Sequence, residues 1–304
     1  MRWIPRHSCA SPANAPRTPR TEPVIVVLSD LHLGLPAAPA AAAVRPAFEG
    51  ATELILNGDA AVTASPRWER RAEDELARLR DAAARAGAAV VRIEGNHDPG
   101  TGELIALRAQ GAVAVTHGHA FHPAIAPWSL AAGEVSRAFE AEHAAGAGRA
   151  EPLRTLLAAR AAARRERELD HARPPLAVLA AMARRPWAFP LVVGYWRIFP
   201  ELSARFAERA SSAAAALGEP PVRAVVSGHS HRAGAWFVRG TLVLNTGSFT
   251  FPGQPHAVTI AGGEIALVPL ARRGGEWRQD AAGRRAWRIE EIARATAARS
   301  TPVE

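Results

Sequence analysis

Short apolar runs that end at polar residues recur along the chain. They lie at 23–29, 53–57, 89–93, 112–116 and 223–227 and are rich in Val, Ile and Ala. Runs of this length and composition are typical of buried β-strands. Each run leads into a cluster of Asp, Asn or His, so the pattern places these polar groups at the ends of predicted strands.

A helical period appears between the second and third runs. Residues 66–86 carry apolar side chains at helical spacing among charged ones, which predicts a covering helix. Later runs at 240–245, 256–260 and 264–268 alternate with Gly and Pro turns and predict consecutive antiparallel strands. Strands alternating with helices predict an α/β layered core, in which a site lies at the carboxyl ends of the strands.

The segment from about 121 to 220 has a different pattern. It is rich in Ala, Arg and Glu and is interrupted by Pro, which predicts a helical cap inserted in a domain spanning 23–271. The Pro- and Arg-rich residues 1–22 are predicted to be a disordered tail. Residues 272–304 are predicted to be an Arg-rich tail with a short amphipathic helix around 287–297.

Composition narrows the class of protein. A chain of 304 residues with 48% hydrophobic residues can bury a large core, and its 37 basic residues, all Arg, exceed 29 acidic ones. The positive charge favours phosphate esters, nucleic acid or acidic lipid as partners, with a plain solubility role as the alternative.

Cys9 is the single cysteine, which excludes an internal disulfide and a multi-cysteine zinc site and favours a cytoplasmic location. We expect no secretory signal, because residues 1–23 lack a continuous apolar run, and no membrane span, because no stretch reaches ~20 apolar residues.

Five polar blocks follow the predicted strands in a fixed order. They are Asp30-x-His32, Gly58-Asp59, Gly95-Asn96-His97-Asp98, His117-Gly118-His119 and Gly228-His229-Ser230-His231. In this order the blocks resemble the signature of the calcineurin-like metallophosphoesterases. The resemblance covers the whole core, and the cap and the tails lie outside it. The resemblance implies that family's α/β fold, a four-layer α/β/β/α sandwich, here with an inserted helical cap.

The chemistry of a phosphate ester explains these residue types. Two divalent cations about 3.5–4 Å apart provide a nucleophile and a sink for the phosphoryl charge, and a bridging carboxylate holds them together. The resemblance implies attack by a metal-bridged hydroxide and two sites that share Asp59. One site comprises Asp30, His32, Asp59 and His231, and the other comprises Asp59, Asn96, His117 and His229. Mixed nitrogen and oxygen donors favour Mn, Fe or Zn over Mg or Ca.

His97 and Asp98 are not ligands in the family pattern. The resemblance implies that His97 polarises a phosphoryl oxygen or protonates the leaving group, while Asp98 orients its ring. The turn at 245–248 is expected to be either a family feature near the site or a purely structural turn. The chain departs from the family pattern in one respect. Many members have an acidic residue shortly after the Gly-Asp block, whereas here Ala60 follows Asp59. We still expect the chain to bind metal, because that position is generally not a ligand.

The cap bears on the substrate. Residues 186–200 contain five aromatic residues beside Arg184, Arg185 and Arg205. An aromatic patch next to cations predicts an acyl-chain groove or a peripheral membrane contact, and the alternative is that these aromatics form the core of the cap. The layout resembles the UDP-2,3-diacylglucosamine pyrophosphohydrolase branch, which usually has Arg in place of His97. Nucleotide- or lipid-linked diphosphates are therefore the leading substrate class.

Two alternatives stay open. The basic charge fits a nuclease or nucleotide phosphodiesterase. In such an enzyme we expect aromatic residues interleaved with basic ones, whereas in this chain they are clustered in one apolar run. A non-catalytic scaffold with the same fold should have lost ligands, whereas every expected ligand is present. No obligate protein partner is inferred.

Overall fold

Two β-sheets pack face to face, and helices cover the outer face of each. The computed structural model describes residues 23–62, 66–171, 188–250 and 253–292. Its strands are β1 (Ile25–Leu28), β2 (Glu53–Asn57), β3 (Ala89–Ile93), β4 (Ala106–Arg108), β5 (Val113–Val115), β6 (Ala224–Ser227), β7 (Gly234–Val238), β8 (Thr241–Asn245), β9 (His256–Ala261), β10 (Glu264–Arg273), β11 (Glu276–Gln279) and β12 (Arg285–Arg288). Its helices are α1 (Ala41–Val44), α2 (Pro66–Arg85), α3 (Ala132–Ala145), α4 (Glu151–His171) and α5 (Ala188–Ala215). The predicted α/β fold class is confirmed.

The strand order brings the polar blocks to a common edge. The first sheet has the order β11-β10-β9-β1-β2-β3, with β12 also paired to β10, and β1, β2 and β3 run parallel. The second sheet has the order β4-β5-β6-β8-β7, and β5, β6 and β8 run parallel. Parallel strands end on the same side, so the residues that follow them lie together in each sheet.

Alternating side chains build four layers. Val27 of β1 and Val226 of β6 lie in a buried cluster between the two sheets. Leu28 points the other way, into a cluster with α1 and α2, and Val225 points into a cluster with α3, α4 and α5. Successive residues of a strand face opposite sides, so one strand contributes to both interfaces. The result is the predicted α/β/β/α arrangement.

The segment predicted to be a helical cap supplies the fourth layer. In the described part of residues 121–220, α3, α4 and α5 pack on the outer face of the second sheet. The domain boundaries at 23, 121, 220 and 271 stay a prediction. Among the described helices, none has the length and apolar character needed to cross a membrane.

The aromatic run of the cap divides into two groups. Tyr195 and Phe199 are 2% and 1% exposed and belong to the core. Phe189 is 68% exposed, and Leu191 and Ile198 on the same helix are also exposed. The run therefore supplies both core and surface. Its first two residues lie outside the described residues, as does the predicted tail at 1–22.

The Arg-rich segment from residue 272 differs from the predicted tail. It contains the end of β10 and both β11 and β12, which pair with β10. Trp277 packs on the cluster beneath α1 and α2, and Trp287 packs on the cluster between the sheets. One tryptophan on each strand thus anchors a mostly polar segment. Of the helix predicted around 287–297, Trp287 lies in β12, residues 289–292 are helical, and residues 293–304 lie outside the described part.

Candidate metal centre

The turns that follow the parallel strands carry the polar blocks and have unusual backbone geometry. Five of the predicted ligands have a left-handed φ between 49° and 62°, namely Asp30, His32, Asp59, His229 and His231. This conformation costs about 1–2 kcal/mol for a residue that is not glycine. Such residues gather at functional sites, where the surrounding structure holds them in place. The concentration here therefore marks the edge shared by both sheets as a candidate site.

Two glycines allow the turns to approach the carboxylates. A Cβ on Gly95 would overlap the carboxylate of Asp59, and a Cβ on Gly228 would overlap that of Asp30. Glycine avoids both overlaps because it has no side chain. The glycines of the third and fifth blocks are thus required by close approach.

The first group of ligand atoms comes from the first and fifth blocks. His231 Nε2 lies 3.2 Å from Asp30 Oδ1 and 3.2 Å from His32 Nε2, and His32 Nε2 lies 3.9 Å from Asp30 Oδ1. Asp30 is fully buried and His32 is 4% exposed. These three side chains offer atoms close enough to bind one cation.

The second group comes from the second, third, fourth and fifth blocks. His117 Nε2 lies 3.2 Å from Asp59 Oδ2, and His229 Nδ1 lies 3.1 Å from Asn96 Oδ1. Ligand atoms of Asp59, His117 and His229 converge, and all three residues are buried. Asp59 also converges with His32 and His97, so it belongs to groups on both sides.

Backbone carbonyls fix which ring nitrogens are free. His117 Nδ1 lies 2.9 Å from Asn57 O, and His229 Nε2 lies 3.1 Å from Ile125 O. A carbonyl only accepts, so each of these nitrogens carries the proton in the neutral ring. The opposite nitrogens, which face Asp59 and Asn96, are therefore the ones that can bind a cation.

The charges in the site also suit a cation. Burial lowers the pKa of His32 to about 4 and that of His229 to about 3, so both rings are neutral at pH 7. Burial opposes the charge on His117, but the Asp59 carboxylate outweighs it and the pKa of His117 rises to about 10. Burial likewise opposes ionisation of Asp59, yet His117 holds the pKa of Asp59 well below its usual range. A cation at Asp59 competes with the His117 proton, as at other metal sites.

His97 lies beside the first group. Its backbone N–H donates to Asp59 Oδ1 at 2.8 Å, and its ring centroid lies 5.2 Å from that of His32. The residue is half-buried, unlike Asp59. Its side chain is thus at the open side of the centre, and its ligand atom is close enough to group with Asp59 and His32.

Asp98 accepts hydrogen bonds from the turns after β2 and β3. Its Oδ1 accepts from the backbone N–H of Gly95 at 2.7 Å and of Asp59 at 3.1 Å. Its Oδ2 accepts from Arg92 Nη2 at 3.3 Å. The carboxylate therefore joins the turns after β2 and β3, and its role in orienting the ring of His97 stays a prediction.

The turn after β8 contacts the site. Asn245 Nδ2 donates to Gly228 O at 2.6 Å and to Ser230 Oγ at 3.1 Å. Ser248 Oγ donates to Asp30 O at 3.3 Å. Of the two interpretations left open for this turn, its contacts favour a role in holding the metal-binding blocks.

Sequence reasoning did not find two further supporting groups. The Ile125 carbonyl fixes the His229 tautomer, and a backbone carbonyl leaves no signal in a sequence. Glu94, buried beside the third block, is bound by Arg160 of α4 at 2.8 Å. Their separation of 66 positions hides this pair from any local pattern. His119, omitted from the predicted ligands, is buried with its ring 5.5 Å from that of His117.

Comparison with known proteins bears on this geometry. A family model described as calcineurin-like phosphoesterase matches residues 23–233, which contain all five blocks. No curated protein matches the sequence.

Several solved structures are similar at low identity. Vacuolar protein sorting 29 from Cryptosporidium parvum is 12% identical with a TM-score of 0.40, over 88% of this chain and 99% of that one. A predicted phosphoesterase from Streptococcus pneumoniae is 15% identical with a TM-score of 0.36, over 88% and 98%. Vps29 from Entamoeba histolytica complexed with zinc is 12% identical with a TM-score of 0.39, over 86% and 98%.

Proposed function

The chain belongs to the calcineurin-like phosphoesterase family, and on this basis we propose that it is a phosphoester hydrolase that uses two divalent metal ions. The observation that carries the proposal is the position of Asp59. Its carboxylate converges with His32 and His97 on one side and with His117 and His229 on the other. A shared carboxylate between two groups of ligands suits a pair of cations held close together.

The residues present fit such a pair. His117 Nε2 is buried, faces Asp59 and makes no hydrogen bond within the described residues, which suits a nitrogen that binds a cation. One ion would be held by Asp30, His32, Asp59 and His231, and the other by Asp59, Asn96, His117 and His229. Nitrogen and oxygen donors together suit Mn, Fe or Zn. When bound, such ions supply Lewis acidity at the phosphoryl oxygens and lower the pKa of the attacking water.

The remaining residues support the reaction without binding the ions. His97 is half-buried beside Asp59, where its imidazole can donate a proton to the leaving oxygen of a phosphate ester. Asp98 maintains the turns that carry Asp59 and Asn96 through its backbone hydrogen bonds. A non-catalytic scaffold would not need these groups to converge.

For the substrate we propose a nucleotide- or lipid-linked diphosphate. Helix α5 lies beside the centre, with the rings of Tyr195 and Phe199 6.0 and 6.5 Å from that of His229. On its outer side, Leu191 and Ile198 are 42% and 48% exposed and lie seven residues apart, on one face of the helix. An exposed apolar strip on the helix that lies beside the centre supports an acylated substrate or a lipid surface.

Hydrolysis of a chromogenic bis-aryl phosphodiester tests the activity. Metal-stripped protein should be inactive, and added Mn²⁺ should restore turnover. Bound Mn²⁺ without turnover of this ester, of nucleotide diphosphates or of single-stranded DNA would favour the scaffold. Turnover of DNA alone would favour the nuclease.

Paired substrates test the lipid part. We expect a UDP-linked sugar with two acyl chains to be hydrolysed with a lower KM than its deacylated form. The variant Leu191→Ser should reduce this difference, whereas Leu217→Ser, which changes a leucine of 47% exposure at the far end of the cap, should not. Equal KM values for both substrates in the unchanged protein would contradict the lipid proposal.

A further inference from the structure

Helix α5 of the cap makes a hydrogen bond to the turn that carries two of the proposed ligands. The indole Nε1–H of Trp196 donates to Ser230 O, with a donor–acceptor distance of 2.7 Å. Ser230 lies between His229 and His231, and its carbonyl is part of the peptide group that links it to His231. The contact therefore fixes the orientation of that peptide group from 34 positions away.

The turn requires support of this kind. His229 and His231 have φ values of 62° and 57°, each of which costs about 1–2 kcal/mol for an L-residue with a side chain. On the core side, the Asp30 carboxylate accepts from the His229 backbone N–H at 3.1 Å. Trp196 acts on the other half of the turn, at the peptide group before His231.

A second contact links the same helix residue to the turn. Arg232 Nη1 donates to the backbone carbonyl of Trp196 at 3.5 Å, and its guanidinium lies 5.9 Å from the ring centroid of Trp236. Trp196 thus contacts the residues on both sides of His231.

Packing alone does not require an indole N–H at this position. Tyr195 and Phe199 are 2% and 1% exposed and fill the core beneath α5, whereas Trp196 is half-buried. A phenylalanine would keep most of the apolar contact and lose only the donor. The two roles of Trp196 can therefore be separated by one substitution.

We propose that Trp196 is a positioning residue for His231, and that the cap in this way sets the metal affinity of the group formed by Asp30, His32 and His231. The inference rests on the proposed function, since it concerns the same centre. If Trp196 has this role, α5 is a fixed part of the metal centre. Movement of α5 away from the sheet would break the Trp196–Ser230 hydrogen bond and release the turn that holds His231.

Metal binding to Trp196→Phe tests the inference, with Trp277→Phe as the matched control on β11. Equilibrium dialysis against Mn²⁺ should give two bound ions for the unchanged protein and for the control. In Trp196→Phe the affinity for one of the two ions should fall about 10–100-fold, the range known for groups that orient metal ligands. Its kcat should fall at limiting Mn²⁺ and recover at high Mn²⁺, and its unfolding temperature in chelator should stay unchanged.

Other outcomes are decisive against the inference. Equal Mn²⁺ affinities in Trp196→Phe and the unchanged protein would overturn it, even if the protein hydrolyses phosphodiesters. Should Trp196→Phe fail to fold, the indole ¹⁵N–H signal of Trp196 in the unchanged protein serves instead. It should shift and exchange more slowly on saturation with Zn²⁺, and an unaltered signal would overturn the inference. Mn²⁺ binding without hydrolysis contradicts the proposed function alone, whereas no Mn²⁺ binding contradicts both.

Discussion

Asp59 is 1% exposed and lies between the two groups of ligands, 3.2 Å from His117 Nε2. The variant Asp59→Asn keeps the shape of the side chain but removes the charge that offsets two cations. We expect it to bind neither Mn²⁺ ion tightly and to lose hydrolysis, as measured by dialysis and by the bis-aryl ester. The exposed Asp81→Asn on α2 should leave both properties unchanged. Full turnover by Asp59→Asn would rule out the shared-carboxylate mechanism.

Dialysis and kinetics on two kinds of ester separate His97 from the metal ligands. In His97→Gln we expect both ions to remain bound while kcat for an alkyl phosphodiester falls about 10²–10⁴-fold, the usual contribution of a general acid. The loss should be smaller for the bis-aryl ester, because its leaving group needs no proton. If the variant instead loses one ion, His97 is a ligand, as its grouping with His32 and Asp59 allows.

Helix α4 is joined to the third block by an ion pair. Arg160 Nε lies 2.8 Å from Glu94 Oε1, and Glu94 is 1% exposed while the Arg160 side chain is 25% exposed. Removing one partner of a fully buried pair costs about 3–5 kcal/mol. Since Arg160 is partly solvated, we expect Arg160→Met to lower the free energy of unfolding by about 2 kcal/mol at pH 8. The exposed Arg165→Met on the same helix should change it by less than about 0.5 kcal/mol.

The same variant has a defined pH dependence. Burial raises the pKa of Glu94, against the opposing charge of Arg160. Without Arg160 the pKa of Glu94 rises further. When the pKa of a carboxyl group is higher in the folded state than in the unfolded one, the protein loses stability as the pH rises through that pKa. The deficit of Arg160→Met should therefore be full at pH 8 and smaller near pH 5, as urea unfolding at both values will measure. An equal deficit at both values would mean that Glu94 does not control it.

At the scale of elements, the sequence predicts those strands whose apolar runs end in a polar block. It does not predict β11 and β12, because each is mostly polar and has a single tryptophan. These tryptophans pack on clusters formed by residues distant in the sequence, so no local pattern reveals them. The candidate ligands are similarly accessible to prediction, since each needs a particular side chain. The groups that hold them are not, because the Ile125 carbonyl, the Arg160 pair and the Trp196 contact arise only when the chain is folded.

The two sheets contribute different ligands to one centre. Asp30, His32, Asp59 and Asn96 follow strands of the first sheet, whereas His117, His229 and His231 follow strands of the second. Each proposed ion would therefore connect both sheets across their shared edge. An ion held in this way binds only the folded chain, because unfolding separates its ligands.

Metal ions should accordingly stabilise the whole molecule. At a free concentration of ~100 times Kd, each ion adds about 2.7 kcal/mol to the free energy of unfolding, and two independent ions add about 5 kcal/mol. At roughly 2 °C per kcal/mol for a chain of 304 residues, Mn²⁺ should raise Tm by about 10 °C over the value in chelator. Differential scanning calorimetry should show this rise in His97→Gln and lose most of it in Asp59→Asn. An equal rise in Asp59→Asn would mean that Mn²⁺ stabilises the fold from elsewhere, since only ions at the shared carboxylate depend on its charge.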